Sequence, residues 1–397
     1  MKDDRSSGFP VERLAQAAPV IRGLLATPTG NDDMPYRHVI LRTLASQEAI
    51  DFAASPEKLG KPCPSATKQL ASPPLYLDVI GNYASATAFR KELVSQFESH
   101  IARHGAKPQA VCLRHLGILY VSEGVPDSNQ PLHNKVALVT GSAGAIGHGI
   151  CRALLNQGCY VAASDLPGER LDAMVREFAE AAGDRILGVP LDVTDGNSVA
   201  EGFECLVQTW GGLDIVIVNA GIALVSSLLE MSLEAFQKLE RVNVEGTLLT
   251  IAQSGRLLTL QGTGGDIVLV STKNVFSPGA RFGAYSATKA ASHQLARIAS
   301  LELAEFGIRV NMVAPDAVFS DGTYKSGLWA AVGPDRMKSR GLDEAGLEEY
   351  YRNRNLLKAK VTAQHVANAV LFFVTHQTPT TGATIPVDGG LPDATPR

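Results

Sequence analysis

From residue 136 onward, short apolar runs alternate with longer segments in which apolar residues recur every three or four positions. The runs are Val136–Val139, Tyr160–Ser164, Ile186–Leu191, Ile215–Val218, Ile267–Val270, Arg309–Val313 and Thr384–Val387. Their length suits strands. The intervening Gly147–Gln157, Arg170–Ala181 and Ala287–Phe306 are helical in pattern. This alternation predicts an α/β fold, a doubly wound parallel sheet of seven strands with helices on both faces. Ahead of it the signal is weaker. Val11–Leu25 reads as a helix, His38–Arg42 and Leu75–Ile80 as strands, Ala86–His104 as an amphipathic helix, and Ala110–Val121 as one or two further strands. The turn-rich stretch Glu123–Pro131 marks a boundary. The expected organisation is a small α/β unit over 1–125, a linker over 126–132 and the large unit over 133–397. The small unit is too short for a large core of its own, so it is expected to pack on the large unit or on a neighbouring subunit.

The bulk numbers narrow the class. The chain has 397 residues, and its net charge of -4 gives no reason to expect nucleic-acid binding. Five cysteines, none in a C-x-x-C pair, read as reduced thiols. The start, Met1–Arg5, is polar, and no apolar run approaches the roughly 18 residues of a membrane span. The expectation is a cytoplasmic protein with no membrane partner.

The candidate chemistry centres on Tyr285 and Lys289, one helical turn apart and therefore on one helix face. An ammonium beside a phenol favours the phenolate, and a phenol of pKa about 10 needs such help to act as a base near neutral pH. Thirteen residues upstream, Thr272 supplies a hydroxyl at the end of the run Ile267–Val270. Adjacent Ser271 is the alternative, but strand alternation should point it away from the pocket. Further back, Thr140-Gly141-Ser142-Ala143-Gly144-Ala145-Ile146-Gly147 follows a strand and opens a helix. There Gly141 permits a tight turn, Gly147 lets the helix approach the sheet, and the free N–H groups suit a pyrophosphate. Asp165 ends the second strand, where an acid accepts from ribose hydroxyls and repels a 2′-phosphate. No Lys or Arg lies in the glycine turn or directly after Asp165, so the expected cofactor is NAD.

With these pieces, residues 133–391 resemble the short-chain dehydrogenase/reductase family. The matching motifs are Thr140–Gly147, Asp165, Asp192-Val193, Asn219-Ala220-Gly221, Asn243, Thr272, Tyr285, Lys289, Asn311, Thr381-Gly382 and Val387-Asp388-Gly389-Gly390. The resemblance implies that Tyr285 is the general base, Lys289 its electrostatic partner and a ribose ligand, and Thr272 the holder of the substrate oxygen. It also implies that Asn243 holds a water in a proton relay ending at Lys289. Cofactor contacts are expected from Gly141, Ala145, Ile146, Gly147, Asp165, Leu166, Asp192, Val193, Asn219, Ala220, Gly221, Tyr285, Lys289 and Pro315. Three positions depart from the family pattern: Thr272 replaces the usual Ser, Ala145 stands at the middle glycine, and Asp316 follows Pro315 where Gly is common. The Ala145 spacing leans toward the extended branch that includes sugar-nucleotide epimerases, whereas Asn219-Ala220-Gly221 and the ending at Gly390 fit the ordinary branch.

Thr272-Lys273-Asn274, Pro315-Asp316 and Asp388–Pro392 resemble, more narrowly, the dehydrogenase half of fusions with a class II rhamnulose-1-phosphate aldolase-type domain. Pro19–Leu25, Tyr36–Ala45, Pro73–Leu77 and Gly117–Tyr120 resemble a late stretch of that aldolase domain, without its metal-bearing front. His100 and His104 have i, i+4 spacing and His115 follows, but no His-Glu-x-x-His pattern is present and no metal is expected. Lys273, Lys325, Arg336, Lys338, Arg340, Arg352 and Arg354 form either a solvated face or a site for a phosphate or acidic substrate group. Phe319, Tyr324, Trp329, Tyr350 and Tyr351 line a lid or pack a core. The resulting expectation is an NAD-dependent alcohol–carbonyl oxidoreductase, acting on a polyol, sugar, sugar phosphate or short hydroxyaldehyde and assembled as a homodimer or homotetramer. The alternatives are an epimerase or dehydratase using transient oxidation, or a non-catalytic dinucleotide-binding regulator.

Overall fold

The computed structural model describes residues 9–55, 72–79, 86–122, 130–321 and 324–391. The chain begins with helix α1 (Phe9–Leu25), a two-residue hairpin β1 (Thr27–Pro28) and β2 (Tyr36–Arg37), strand β3 (Ile40–Leu44) and helix α2 (Gln47–Ala53). Strand β4 (Leu75–Leu77), helix α3 (Ala86–His104), and strands β5 (Ala110–Leu113) and β6 (Gly117–Ser122) follow. The four longer strands form one sheet in the order β3-β6-β5-β4. Ala110–Val121 is two strands rather than one, because the chain reverses at Arg114–Leu116 with His115 at φ 63. The expected strand His38–Arg42 begins two residues later, at Ile40. Ile80 and most of the expected linker, including 126–129, lie outside the described residues.

The large unit holds strands β7 (Val136–Thr140), β8 (Tyr160–Asp165), β9 (Ile186–Pro190), β10 (Ile215–Val218), β11 (Gly265–Val270) and β12 (Ile308–Pro315). A small hairpin of β13 (Ser320–Asp321) and β14 (Tyr324–Lys325) precedes the final strand β15 (Thr384–Val387). The main sheet is seven-stranded and parallel, in the order β15-β12-β11-β10-β7-β8-β9. Order reverses between β7 and β10, and in such sheets ligands bind in the crevice outside the carboxyl ends of the strands at that switch. Helices α4 (Ala145–Asn156), α5 (Glu169–Ala182), α6 (Gly196–Trp210), α7 (Leu233–Glu240), α8 (Gly246–Gln261) and α9 (Gly283–Glu302) wrap the sheet. Helices α10 (Gly327–Arg340), α11 (Glu344–Asn353) and α12 (Ala363–Val374) complete the chain. Helix α9 starts at Gly283, four residues before the expected Ala287, and ends at Glu302, followed by a single 3-10 turn.

The strands alternate their side chains between two cores. Leu138, Val216, Ile267 and Val310 face one side. Ala137, Ile215, Val268 and Val313 face the other, against α4 and α12. The small N-terminal unit has a minor cluster of its own around Phe52 and Ile118 and otherwise shares its core with the large unit. Ile21, Leu41, Leu93 and Leu113 join Phe203, Trp210 and Leu258 in a single apolar cluster. A buried ion pair locks this junction. Arg22 on α1 is fully buried and donates from Nη2 and Nη1 to the two oxygens of Asp214, at 2.6 and 2.9 Å. It also donates to the carbonyls of Val39 and Asn134 and to Gln261 Oε1. Burial pushes the Asp214 carboxyl up, but Arg22, His38 and the Val136 N–H outweigh it and hold the group well below the usual range. His38 Nδ1 sits 3.2 Å from Asp214 Oδ1, just ahead of strand β3. Arg90 of α3 caps the carboxyl end of α8, donating to the carbonyls of Leu260 and Thr259.

Candidate active site

At the β7–β10 switch, two loops press together. Gly141 has φ 62, and a Cβ there would sit 2.8 Å from Ala220 Cα, so the turn accepts only glycine. A Cβ on Gly147 would lie 2.4 Å from the Gly141 carbonyl oxygen, which lets α4 start directly against the turn. Asn219 stitches the loops, donating from Nδ2 to the carbonyls of Thr140 and Gly141 at 2.9 Å each. Thr140 Oγ1 accepts from the N–H groups of Asn219 and Ala220. Helix α4 begins at Ala145 with Gly144 as its cap, no side-chain bond to its amides and no acid in its first turn. Those amides face a cavity of about 780 Å³ that runs past Asp165, Asp192 and Val193 to Tyr285 and Lys289.

At the adenosine-type end, Asp165 accepts from the N–H groups of Ala143 and Leu166, at 2.9 and 2.8 Å. Each carboxylate oxygen keeps a lone pair for a further donor. Arg170, in the first turn of α5, folds back, donates to the Ala143 carbonyl and lines the same cavity. Sequence spacing hides it, because it stands five residues after Asp165 and only the strand–helix turn brings the two together. Leu166, Ala145, Ile146, Gly221 and Pro315 also line the cavity. Asp192 is held by its own loop, accepting from the N–H and hydroxyl of Thr194.

At the other end, Tyr285 and Lys289 share the buried face of α9. The Lys289 ammonium donates to the Val270 carbonyl at 2.8 Å, and burial pulls its pKa down to about 8. Burial pushes the Tyr285 phenol up to about 12, only partly opposed by its hydrogen bond with Thr272. The phenol is therefore not brought toward neutrality by Lys289 in the protein alone, contrary to the expectation from their spacing. Desolvation of the phenolate wins, and one of the three ammonium donors is used on the Val270 carbonyl. Ser271 turns away, its hydroxyl 3.0 Å from His293 Nδ1. Thr272 faces Tyr285 and accepts from the Asn274 N–H.

Asn243 sits fully buried in a five-residue π-helical turn, Arg241–Glu245, between α7 and α8. Single π turns of this kind re-aim side chains at functional sites. Its amide is anchored on both sides, accepting from the Ile222 N–H and donating to the Ile222 carbonyl and Thr288 Oγ1. Gly221 lies between Asn243 and Lys289, since a Cβ there would be 3.2 Å from Asn243 Oδ1 and 3.7 Å from Lys289 Nζ.

A cap closes this end. The Trp329 ring stacks on Phe319 at 4.4 Å and meets Tyr351 edge-on at 4.8 Å. Tyr324 goes elsewhere. It stacks on His148 at 3.8 Å and donates to Glu177, while His148 Nδ1 and Arg152 hold Asp321 at 2.7 Å each. The hairpin that starts the cap is thus clasped to the helix that follows the glycine turn. Elsewhere, His100 and His104 pack ring to ring at 4.6 Å, and no cluster of three His, Cys, Asp or Glu residues suited to a metal occurs among the described residues. Among these residues, no helix is long and apolar enough to cross a membrane.

The short chain dehydrogenase family model matches residues 135–330. A sorbitol dehydrogenase from Cereibacter sphaeroides is 34% identical over 197 residues, 50% of this chain and 75% of that protein. The chain belongs to the short-chain dehydrogenase family. The uncharacterized oxidoreductase YuxG of Bacillus subtilis is 37% identical over 265 residues, which is 66% of this chain but 38% of that protein's length. Among solved structures, a sorbitol-6-phosphate 2-dehydrogenase from Erwinia amylovora superposes with a TM-score of 0.60 at 26% identity, over 64% of this chain and 98% of its own. These matches show an oxidoreductase with a Rossmann-like nucleotide-binding domain and an additional N-terminal region.

Proposed function

We propose that this protein is an NAD-dependent dehydrogenase that interconverts a primary or secondary alcohol and its carbonyl. The observation that carries the reading is one continuous cavity with the uncapped start of α4 and Asp165 at one end, and Thr272, Tyr285 and Lys289 at the other. Gly141, Ala145–Gly147, Asp192-Val193, Asn219–Gly221 and Pro315 would hold the dinucleotide. When bound, an oxidised nicotinamide would supply the hydride acceptor and a positive charge. Thr272 holds the substrate oxygen beside Tyr285. Tyr285 takes the hydroxyl proton as the carbinol hydrogen leaves as hydride. Lys289, one turn along the same helix face, would help to offset the desolvation that keeps the phenol protonated. Asn243, anchored to Ile222 and Thr288, would hold the water of a proton relay ending at Lys289.

Asp165 supports NAD over NADP, because its two oxygens are aimed from the strand end and would repel a phosphate. Arg170 pulls the other way, so preference is a balance of these two charges. The relatives named for sorbitol and sorbitol 6-phosphate support a polyol, a sugar, or a phosphate of either as substrate. The N-terminal unit reads as a remnant of an aldolase-type domain that now serves packing. Leu248 on α8, with Ile298 and Leu301 on α9, exposes apolar surface, which supports a homodimer or homotetramer through those helices.

The test is to supply NAD or NADP with a panel of polyols, sugars and their phosphates and to follow reduced cofactor at 340 nm. NADH release with at least one alcohol is expected. Turnover without net NADH release would favour the epimerase or dehydratase reading instead.

A further inference from the structure

The cap over Tyr285 carries more cations than carboxylates: Asp316 and Asp388 both act on Lys273. Lys273, Arg336, Arg340 and Arg354 all line the cavity there. Asp316 pairs with Arg354, and no carboxylate pairs with Arg336 among the described residues. Arg336 is more than nine-tenths buried, and its Nε has no hydrogen-bond partner. Its guanidinium lies over the Phe282 ring at 4.1 Å, and the Phe282 ring is 6.0 Å from that of Tyr285. Val332, one turn before Arg336, packs in the same small cluster as Phe282 and Tyr285. The guanidinium therefore sits close to the reacting end, not on a remote surface. Lys273 directly follows Thr272, and burial together with Arg354 and Arg336 lowers its pKa.

Burying a guanidinium costs more than a cation–π contact returns, unless an anion completes it. Arg is suited to phosphate and carboxylate because its donors form a planar fork. We propose that the alcohol substrate carries an oxyanion, a phosphate or a carboxylate, held by Arg336 with Lys273 and Arg340 while its hydroxyl lies at Thr272 and Tyr285. This rests on the alcohol–carbonyl reading above and narrows it. The anion anchors one end of the molecule and the hydroxyl pair selects the carbon that is oxidised.

The test uses the full-length protein with NAD and three compounds of the same chain length: sorbitol, sorbitol 6-phosphate and gluconate. One anionic compound is expected to exceed sorbitol by about a hundredfold in kcat/KM, carried mainly by KM. Whichever anion is preferred identifies phosphate or carboxylate as the source. In Arg336→Gln, checked for folding by its melting curve, this preference should collapse. Arg340→Gln provides a second, milder variant if the first does not fold. Sorbitol used as well as both anions, or a preference that survives both variants, overturns the proposal.

If no alcohol is turned over, the dehydrogenase reading fails while the anion site remains testable. Trp329 packs in this cap, whereas the only other tryptophan, Trp210, is fully buried in the core. Titration with inorganic phosphate and with acetate should change Trp329 fluorescence in the parent and not in Arg336→Gln. Absence of any saturable change with both anions overturns the site by itself.

Discussion

Replacing Arg22 with Ala tests whether the N-terminal unit is part of the dehydrogenase core. The change removes two charge-assisted bonds to Asp214 and three others, to Val39, Asn134 and Gln261. It leaves Asp214 buried with the Val136 N–H, Gln261 and His38 as neighbours. Removing one partner of a buried pair costs about 3–5 kcal/mol, because the remaining charge stays desolvated. At about 2 °C per kcal/mol for a chain of this size, the melting temperature should drop ~6–10 °C. The pH dependence gives an independent check. In the parent, Asp214 has a depressed pKa, so its stabilisation is present above the ordinary carboxylate range and is lost as pH falls through it. His38 is lowered to about 4 by burial, so its neutral form is also favoured, and stability falls as pH drops from about 6.5 toward 4. In Arg22→Ala, burial acts on Asp214 without its main cation, and the protonated acid is favoured. The gap between variant and parent should therefore shrink as pH falls from 7 to 5. Adding Asp214→Asn, which keeps an acceptor for Val136, should recover more than half of the loss. Melts by circular dichroism at several pH values measure all of this. A single variant within about 1 kcal/mol of the parent at every pH would refute the keystone role of the pair.

Tyr285→Phe should lower turnover by about 10²–10⁴-fold with little change in NAD affinity, and activity within tenfold of the parent contradicts the base assignment. Asp165→Ala removes the carboxylate and leaves Arg170 in place, so the NAD-to-NADP ratio of kcat/KM should fall by about tenfold or more; Asp165→Ala with Arg170→Ala should lose most of the gain for NADP. Because burial pushes the phenol up to about 12, alcohol oxidation should rise as pH increases above about 7, less steeply once Lys289 loses its proton near 8, whereas a flat profile argues against proton loss at Tyr285. A chain beginning near Asn129 lacks α1 and α3 and should lose solubility or oligomeric order in sedimentation runs, since Phe203, Trp210 and Leu258 lose part of their cover.

Seven strands and the helices α1, α3, α4, α5 and α9 were legible along the chain, because strand and helix periods are local properties of where apolar residues fall. The glycine turn, Asp165, Thr272, Tyr285 and Lys289 were legible for the same reason: each stands at a fixed offset from a strand or helix end. Other features needed the folded chain. Arg22 meets Asp214 across 192 positions, and no local pattern announces that pair. Arg170 reads as one more charge on a helix until the turn folds it over the Asp165 loop. The spacing of Tyr285 and Lys289 showed that they share a face, but not that burial would raise the phenol and that the ammonium would bind the Val270 carbonyl. Whether Arg336 is a solvated charge or a buried one likewise depends on how α10 lies across Phe282. Proximity in sequence determines which groups are presented together; desolvation and the partners each group meets are decided by the tertiary packing.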